Sequence, residues 1–241
     1  MTLYFRPINT NMNIEQARFN MIEQQIRTWD VLDAGILELL PLVRREEFVP
    51  AAYRSLAFAD TEIPLPAGAN MLPPKFEARV LQEAAVRKHE TVLEIGAGSG
   101  YMAALLAYCA RSVITVEIEP ELQALAASNL ANYGISNVTV ALGNGAQGWP
   151  APAALGSAAG AEAATPLYDV IVISASLPVL PDRFLQQLKV GGRLLAVLGT
   201  APAMTAQLIT RTTDIAYSSR TLFETNVAPL RDALTPSTFR F

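Results

Sequence analysis

Two carboxylates and three glycines in this chain are spaced to hold an adenosine-bearing ligand. Glu94, Gly96, Gly98 and Gly100 occupy alternate positions in Val92-Leu93-Glu94-Ile95-Gly96-Ala97-Gly98-Ser99-Gly100-Tyr101, and Glu117 closes the run Val113-Ile114-Thr115-Val116-Glu117. Glycines after a β-branched stretch allow a tight turn and close backbone approach to a ligand. An acid at the end of the following strand accepts hydrogen bonds from ribose hydroxyls. In the dinucleotide fingerprint a third glycine falls three positions after the second, and Tyr101 stands there instead. Glu94, two places before the first glycine, would repel a pyrophosphate. It suits a cationic amine, such as the methionine end of S-adenosylmethionine. The pattern therefore favours a methyl-transfer cofactor over NAD, with Ala97 inside the turn and Ile118 beside Glu117 as further cofactor-lining positions.

A second turn, Gly143-Asn144-Gly145, is expected at the carboxyl edge of a later strand, where open α/β sheets bind ligands. The Asn144 side-chain carbonyl is placed to accept from an adenine amino group, with Gly145 beside it. The chemistry the chain lacks is equally informative. Its one histidine, His89, lies in a polar Arg-Lys-His-Glu run and reads as a solvated residue. With no further histidine and one cysteine, a zinc or iron site is not expected. No nucleophile–base pair has a convincing spacing, so hydrolase chemistry lacks support. Methyl transfer needs no such pair. A sulfonium is already a strong electrophile, and an ionised carboxylate attacks it directly once aligned and desolvated.

Elements to position these residues are legible on both sides of the motif. A helix over Lys75–Arg87 feeds a strand at Thr91–Ile95. Then follow a helix over Tyr101–Cys109, a strand at Ser112–Glu117, a helix over Pro120–Tyr133 and a strand at Val138–Leu142. The apolar Tyr168–Ser174 reads as a parallel strand buried on both faces. A helix around Pro181–Leu188, a Gly191-Gly192 turn and a strand at Arg193–Leu198 come next. Ala206–Thr212 and Ser219–Asn226 alternate like antiparallel strands. The pattern implies an α/β fold, a doubly wound and mostly parallel Rossmann-like sheet with an antiparallel C-terminal edge. Residues 12–75 read as an N-terminal helical and loop cap supplying substrate-side groups. Residues 76–230 read as the cofactor-binding domain, interrupted by an Ala-rich insertion at 151–165. Residues 1–11 are expected to be irregular, and within the cap helical spacing starts at Asn13. Asp30 is expected to cap a second helix. Met12 is a candidate alternative start.

The chain has 241 residues, 51% of them hydrophobic and 17% charged, enough to bury one core with additions. A formal charge of −4 without a basic cluster gives no footprint for nucleic acid. The single cysteine, Cys109, fits a reducing compartment, and Cys109 itself reads as a core residue. No apolar run reaches membrane-spanning length and no signal peptide is evident. The expectation is a cytoplasmic monomer.

The chain resembles the protein-L-isoaspartate (D-aspartate) O-methyltransferase family over most of its length beyond residue 12. The residues that carry the likeness include Val43-Arg44-Arg45-Glu46-Glu47-Phe48-Val49-Pro50, Val92 to Tyr101, Gly143-Asn144-Gly145 with Gly148-Trp149, and Leu185 to Leu194 with Gly191-Gly192-Arg193. The resemblance implies methylation of the carboxylate exposed when Asn or Asp rearranges to isoaspartate, with damaged proteins as substrates. It departs from the family pattern at two places. The family's Gln-Thr-Ile-Ser-Gln-Pro segment, whose hydroxyls bind the acceptor, is Ala69-Asn70-Met71-Leu72-Pro73-Pro74 here. The serine position falls on Leu72 and the threonine position on Asn70, which leaves Asn70 as the acceptor-side donor. The family's Asp in its Gly-Asp-Gly turn is Asn144. Two other readings stay open from the residues: a same-fold methyltransferase for another carboxylate or small molecule, and a non-catalytic cofactor-binding protein.

Overall fold

Runs of β-branched and leucine residues flanked by apolar helices build one mixed sheet. The computed structural model describes residues 10–149 and 167–235. The 151–165 insertion and residues 1–9 lie outside them. Strand β1 (Ile63–Pro64) pairs antiparallel with β2 (Asn70–Met71) in a separate two-stranded ribbon. The main sheet has seven strands in the order β5-β4-β3-β6-β7-β8-β9. These are β3 (Thr91–Ile95), β4 (Ser112–Glu117), β5 (Val138–Leu142), β6 (Tyr168–Leu177), β7 (Leu188–Thr200), β8 (Ala203–Arg211) and β9 (Tyr217–Thr225). The strands from β5 to β7 are parallel, and β8 and β9 add the antiparallel edge.

The motif-bearing strands keep their expected limits because each is rich in β-branched residues and is ended by a polar or glycine residue. The later strands differ from expectation: β8 and β9 start at Ala203 and Tyr217 instead of Ala206 and Ser219 and end one residue early, and β6 and β7 outrun their expected limits. β6 continues past Ser174 because residues 228–230 pair with it: Ser176 N–H donates to the Ala228 carbonyl at 2.9 Å, and Leu230 N–H to the Ser176 carbonyl at 2.8 Å. Gly191-Gly192 is not a turn before β7 but a bulge within it. The β6 pairing jumps there from Tyr168↔Leu188 to Val170↔Arg193. A Cβ on Gly192 would sit 2.8 Å from the Lys189 carbonyl oxygen, so only glycine fits the bulge.

The helices are α1 (Thr10–Met21), α2 (Ala34–Leu39), α3 (Pro74–Ala84), α4 (Tyr101–Cys109), α5 (Pro120–Asn132) and α6 (Asp182–Gln186). Helix α1 starts three residues before Asn13 and runs into a π-helical turn, Ile22–Ile26, and a 3-10 turn, Arg27–Trp29. Asp30 does not cap α2. It sits at φ 59° and ends the 3-10 turn, while Asp33 Oδ1 accepts from the Ile36 N–H at 3.0 Å. Helix α3 stops short of Arg87 because Ala85 turns left-handed at φ 44°, and Arg193 from β7 donates to the Ala84 and Ala85 carbonyls. The same guanidinium meets both oxygens of Glu90 at 2.8 Å.

Helix α4 is buried on all sides, from Tyr101 to Ala107, because the N-terminal segment covers the face the sheet leaves open. Phe48 lies 5.5 Å from the Tyr101 ring and 5.2 Å from that of Tyr133, and Trp29 lies 4.6 Å from Phe223 of β9. Residues of the N-terminal segment therefore share one apolar cluster with β3, β6 and β7. Among the described residues no helix is long and apolar enough to cross a membrane. His89 is exposed as expected, whereas Cys109 is half-buried rather than in the core, and burial pushes its thiol pKa up.

Candidate active site

Strand order reverses between β3 and β6, and a cleft opens there at the carboxyl ends of the parallel strands. Gly96, Gly98, Glu117, Ile118 and Ser174 form its sheet side. Asn70 and Leu72 from the link into α3 face them, and residues 227–231 complete the wall. Ala97 and Glu94 line its inner end with Glu77 and Tyr101.

The β3–α4 turn puts Gly96 at φ 94° and Gly98 at φ 52°, left-handed conformations that L side chains adopt only at a cost. The cleft floor is thus bare backbone. Glu117 anchors it. Its Oε2 accepts from Gly98 N–H at 3.0 Å, and its Oε1 from the N–H groups of Ile118 (2.9 Å) and Glu119 (3.1 Å). A carboxylate so held keeps a lone pair on Oε2 for a hydroxyl donor without moving.

Glu94 is fully buried, and desolvation pushes its carboxyl up to about 8. Ser174 Oγ donates to Oε1 at 2.9 Å, while Oε2 is buried without a partner. A buried carboxyl with one unused oxygen is costly by itself and is relieved by a cationic hydrogen-bond donor.

The Asn70–Leu72 side of the cleft is held from beneath by Arg45, whose side chain is 1% exposed. Its Nη2 donates to the Leu72 carbonyl at 2.6 Å, its Nε to the Ala57 carbonyl at 3.1 Å, and its Nη1 to Glu77. The guanidinium also stacks 5.1 Å from the Tyr101 ring centroid. Burial pushes Glu77 up to about 7 against the pull of Arg45. Asn70 Nδ2, exposed in the cleft, donates to Glu62 Oε2 at 2.7 Å.

Three positions expected at the ligand, Gly100, Asn144 and Gly145, are not among the residues lining this cleft. A Cβ on Gly100 would meet the Ala126 carbonyl at 3.2 Å, so this glycine lets α4 start against α5 and does not line the cleft. Gly145 packs over Ile95 and Val116, with only 2.8 Å from its Cβ position to Ile95 Cδ1. The Asn144 carbonyl oxygen accepts from Ala146 N–H and its amide donates to Asp232, each at 2.9 Å. That side chain shapes its own loop and ties it to the C-terminal segment.

Sequence reasoning missed Ser174, Glu62 and Arg231. Ser174 had a signal, a polar residue at the carboxyl end of an otherwise apolar parallel strand. Arg231 had none. It reaches Glu119 and the Ala67 carbonyl only because residues 227–230 run along β6.

A sequence model of the family described as "Protein-L-isoaspartate(D-aspartate) O-methyltransferase (PCMT)" matches residues 16–234. The chain is 36% identical over 217 residues to "Protein-L-isoaspartate O-methyltransferase 2" of Anaeromyxobacter sp., covering 90% of this chain and 82% of that protein. It is 35% identical over 205 residues to the Koribacter versatilis protein-L-isoaspartate O-methyltransferase, with 85% of each covered. Among solved structures, a protein-L-isoaspartate O-methyltransferase superposes with a TM-score of 0.73 at 23% identity, over 92% of this chain and 67% of that one. This last likeness concerns the fold.

Proposed function

The chain belongs to the protein-L-isoaspartate(D-aspartate) O-methyltransferase family, and from that membership we propose that it moves the methyl group of S-adenosylmethionine onto the carboxylate of isoaspartyl residues in damaged proteins. The observation that carries this reading is Glu94. A fully buried carboxyl, with one oxygen unpartnered, lies at the inner end of a backbone-floored cleft. Among the described residues no donor is in hydrogen-bonding geometry with that oxygen, and the ammonium of a methionine moiety would be.

S-adenosylmethionine, when bound, supplies an electrophilic methyl on a sulfonium centre. The protein's own tasks are to bind, orient and exclude water. Glu94 holds the amine, with Ser174 fixing its other oxygen. Glu117 takes a ribose hydroxyl from a position set by three backbone N–H groups. Gly96, Ala97 and Gly98 let the ligand lie against the main chain, and Ile118 gives it an apolar wall. Asn70 is the acceptor-side donor, and Arg45 keeps the Leu72 backbone beneath it in place. No general base is required, because the acceptor is already ionised at neutral pH.

In this reading residues 12–75 form the acceptor-side cap and 76–230 the cofactor domain. The working form is a cytoplasmic monomer that does not engage nucleic acid, a view supported in its last part by the net charge of −4. The deciding experiment is transfer of labelled methyl to an isoaspartyl peptide beside its normal aspartyl twin. Selective labelling of the isoaspartyl peptide is the expected result. Absence of labelling from protein that binds the cofactor overturns the reading.

A further inference from the structure

Resting on that reading, we propose that Glu62 determines acceptor specificity, selecting isoaspartyl sites that carry positive charge next to the methylated carboxylate. Glu62 immediately precedes β1 and lines the same cleft as Gly96, Gly98 and Glu117. Pro64 lies opposite Asn70 across β1 and β2, so Glu62, two residues before Pro64, falls on the same face of the ribbon, diagonal to Asn70. Its Oε2 takes the Asn70 amide at 2.7 Å, the donor an acceptor carboxylate would need. An incoming carboxylate therefore meets a side chain that is both a competitor for that donor and a like charge.

Nothing nearby offsets this charge. Among the described residues no Lys or Arg lies within ion-pairing distance of Glu62. The closest cation in sequence, Arg54, pairs with Glu47 at 3.8 Å, and Lys75 is taken by Asp60 at 2.6 Å. The cation lining the cleft, Arg231, is committed to Glu119 and to the Ala67 carbonyl. The missing counter-charge must come with the substrate. A lysine or arginine beside the isoaspartate supplies it, drawing Glu62 away and freeing the Asn70 amide for the acceptor. A glutamate in that place adds a second repulsion. Exposed pairs of this kind change affinity by up to about fivefold.

The test is a matched series of isoaspartyl peptides with Lys, Gln or Glu following the isoaspartate, assayed for KM and kcat with the full chain and with Glu62→Gln. Glutamine can still accept from Asn70, so the variant keeps the contact and removes only the charge. The expected result is a KM that rises from the Lys to the Gln to the Glu peptide in the unmodified chain, with that spread collapsing in Glu62→Gln. A flat series in the unmodified chain, or an unchanged spread in the variant, overturns the proposal while leaving isoaspartyl methylation intact. Failure to label any peptide, by protein shown by calorimetry to bind S-adenosylmethionine, overturns the functional reading and this inference with it.

Discussion

The two walls of the cleft are built in opposite ways. The cofactor wall comes chiefly from one stretch, β3 to Ile118 just past β4, with Ser174 of β6 as its one outside member, and presents backbone and two carboxylates. The acceptor wall is collected from residues near 62, 70–72 and 227–231, which reach one another through side chains such as Arg45 and Arg231. A contiguous wall is fixed once its βαβ unit folds. A collected wall depends on every tether and is free to change its chemistry. This is where Leu72 and Asn70 depart from the family's hydroxyls.

The largest effect that would sharpen the contrast comes from the deepest tether. Arg45→Met leaves Glu77 buried without its cation and frees the Leu72 carbonyl. Stability should fall by about 3–5 kcal/mol in denaturant titration, and Arg45→Met/Glu77→Leu should recover most of it. Under conditions where the single variant is folded, the KM for an isoaspartyl peptide should rise while calorimetric affinity for S-adenosylmethionine holds. Equal losses on both sides would mean the walls are not separable.

Glu117→Ala is the reciprocal break. Removing a carboxylate that serves a ribose hydroxyl should cost about 1.5–3 kcal/mol of cofactor binding, and the peptide KM measured at saturating cofactor should stay put. Unchanged cofactor affinity would remove Glu117 from the site.

Glu94 offers a pH signature on the cofactor wall alone. Its carboxyl is raised from 4.5 to about 8, so in that window the folded chain holds a proton the unfolded chain has released. Stability without ligand should therefore decline as pH rises from about 5 to about 8, because the folded state binds more protons there. Glu77 adds a share of the same sign up to about 7. Glu94→Gln should reduce the slope of the denaturation midpoint across this window. An identical slope would place the buried charge elsewhere.

The smallest effect is a restoration. Leu72→Ser returns a hydroxyl to the acceptor wall and should raise kcat/KM on an isoaspartyl peptide about three- to tenfold, the worth of one hydrogen bond. No gain would show that Asn70 and its surroundings have replaced the hydroxyl's role.

The same contrast explains what was legible in the chain. Thr91–Ile95, Tyr101–Cys109 and Ser112–Glu117 could be bounded to the residue because each boundary is local chemistry, a glycine turn or the end of a β-branched run. Asp30 and Asp33 were not distinguishable, since both precede apolar spacing and only backbone geometry shows which is left-handed. Gly191-Gly192 reads as a turn because a bulge needs the same residue for a different reason. Gly100 and Gly145 look ligand-facing in a motif, yet their missing side chains make room for α5 and for Ile95. The pairing of Glu62 with Asn70 follows from strand register, which short strands such as β1 and β2 do not announce.

Residues 227–231 close a cleft whose glycine floor lies far upstream. During synthesis on the ribosome, the cofactor-binding motif emerges and can fold long before its last wall exists. A nascent chain without residues 227–231 would therefore leave the Glu117 end of the cleft open. Full enclosure of ligand must wait until Val227 to Arg231 have left the exit tunnel and docked along β6.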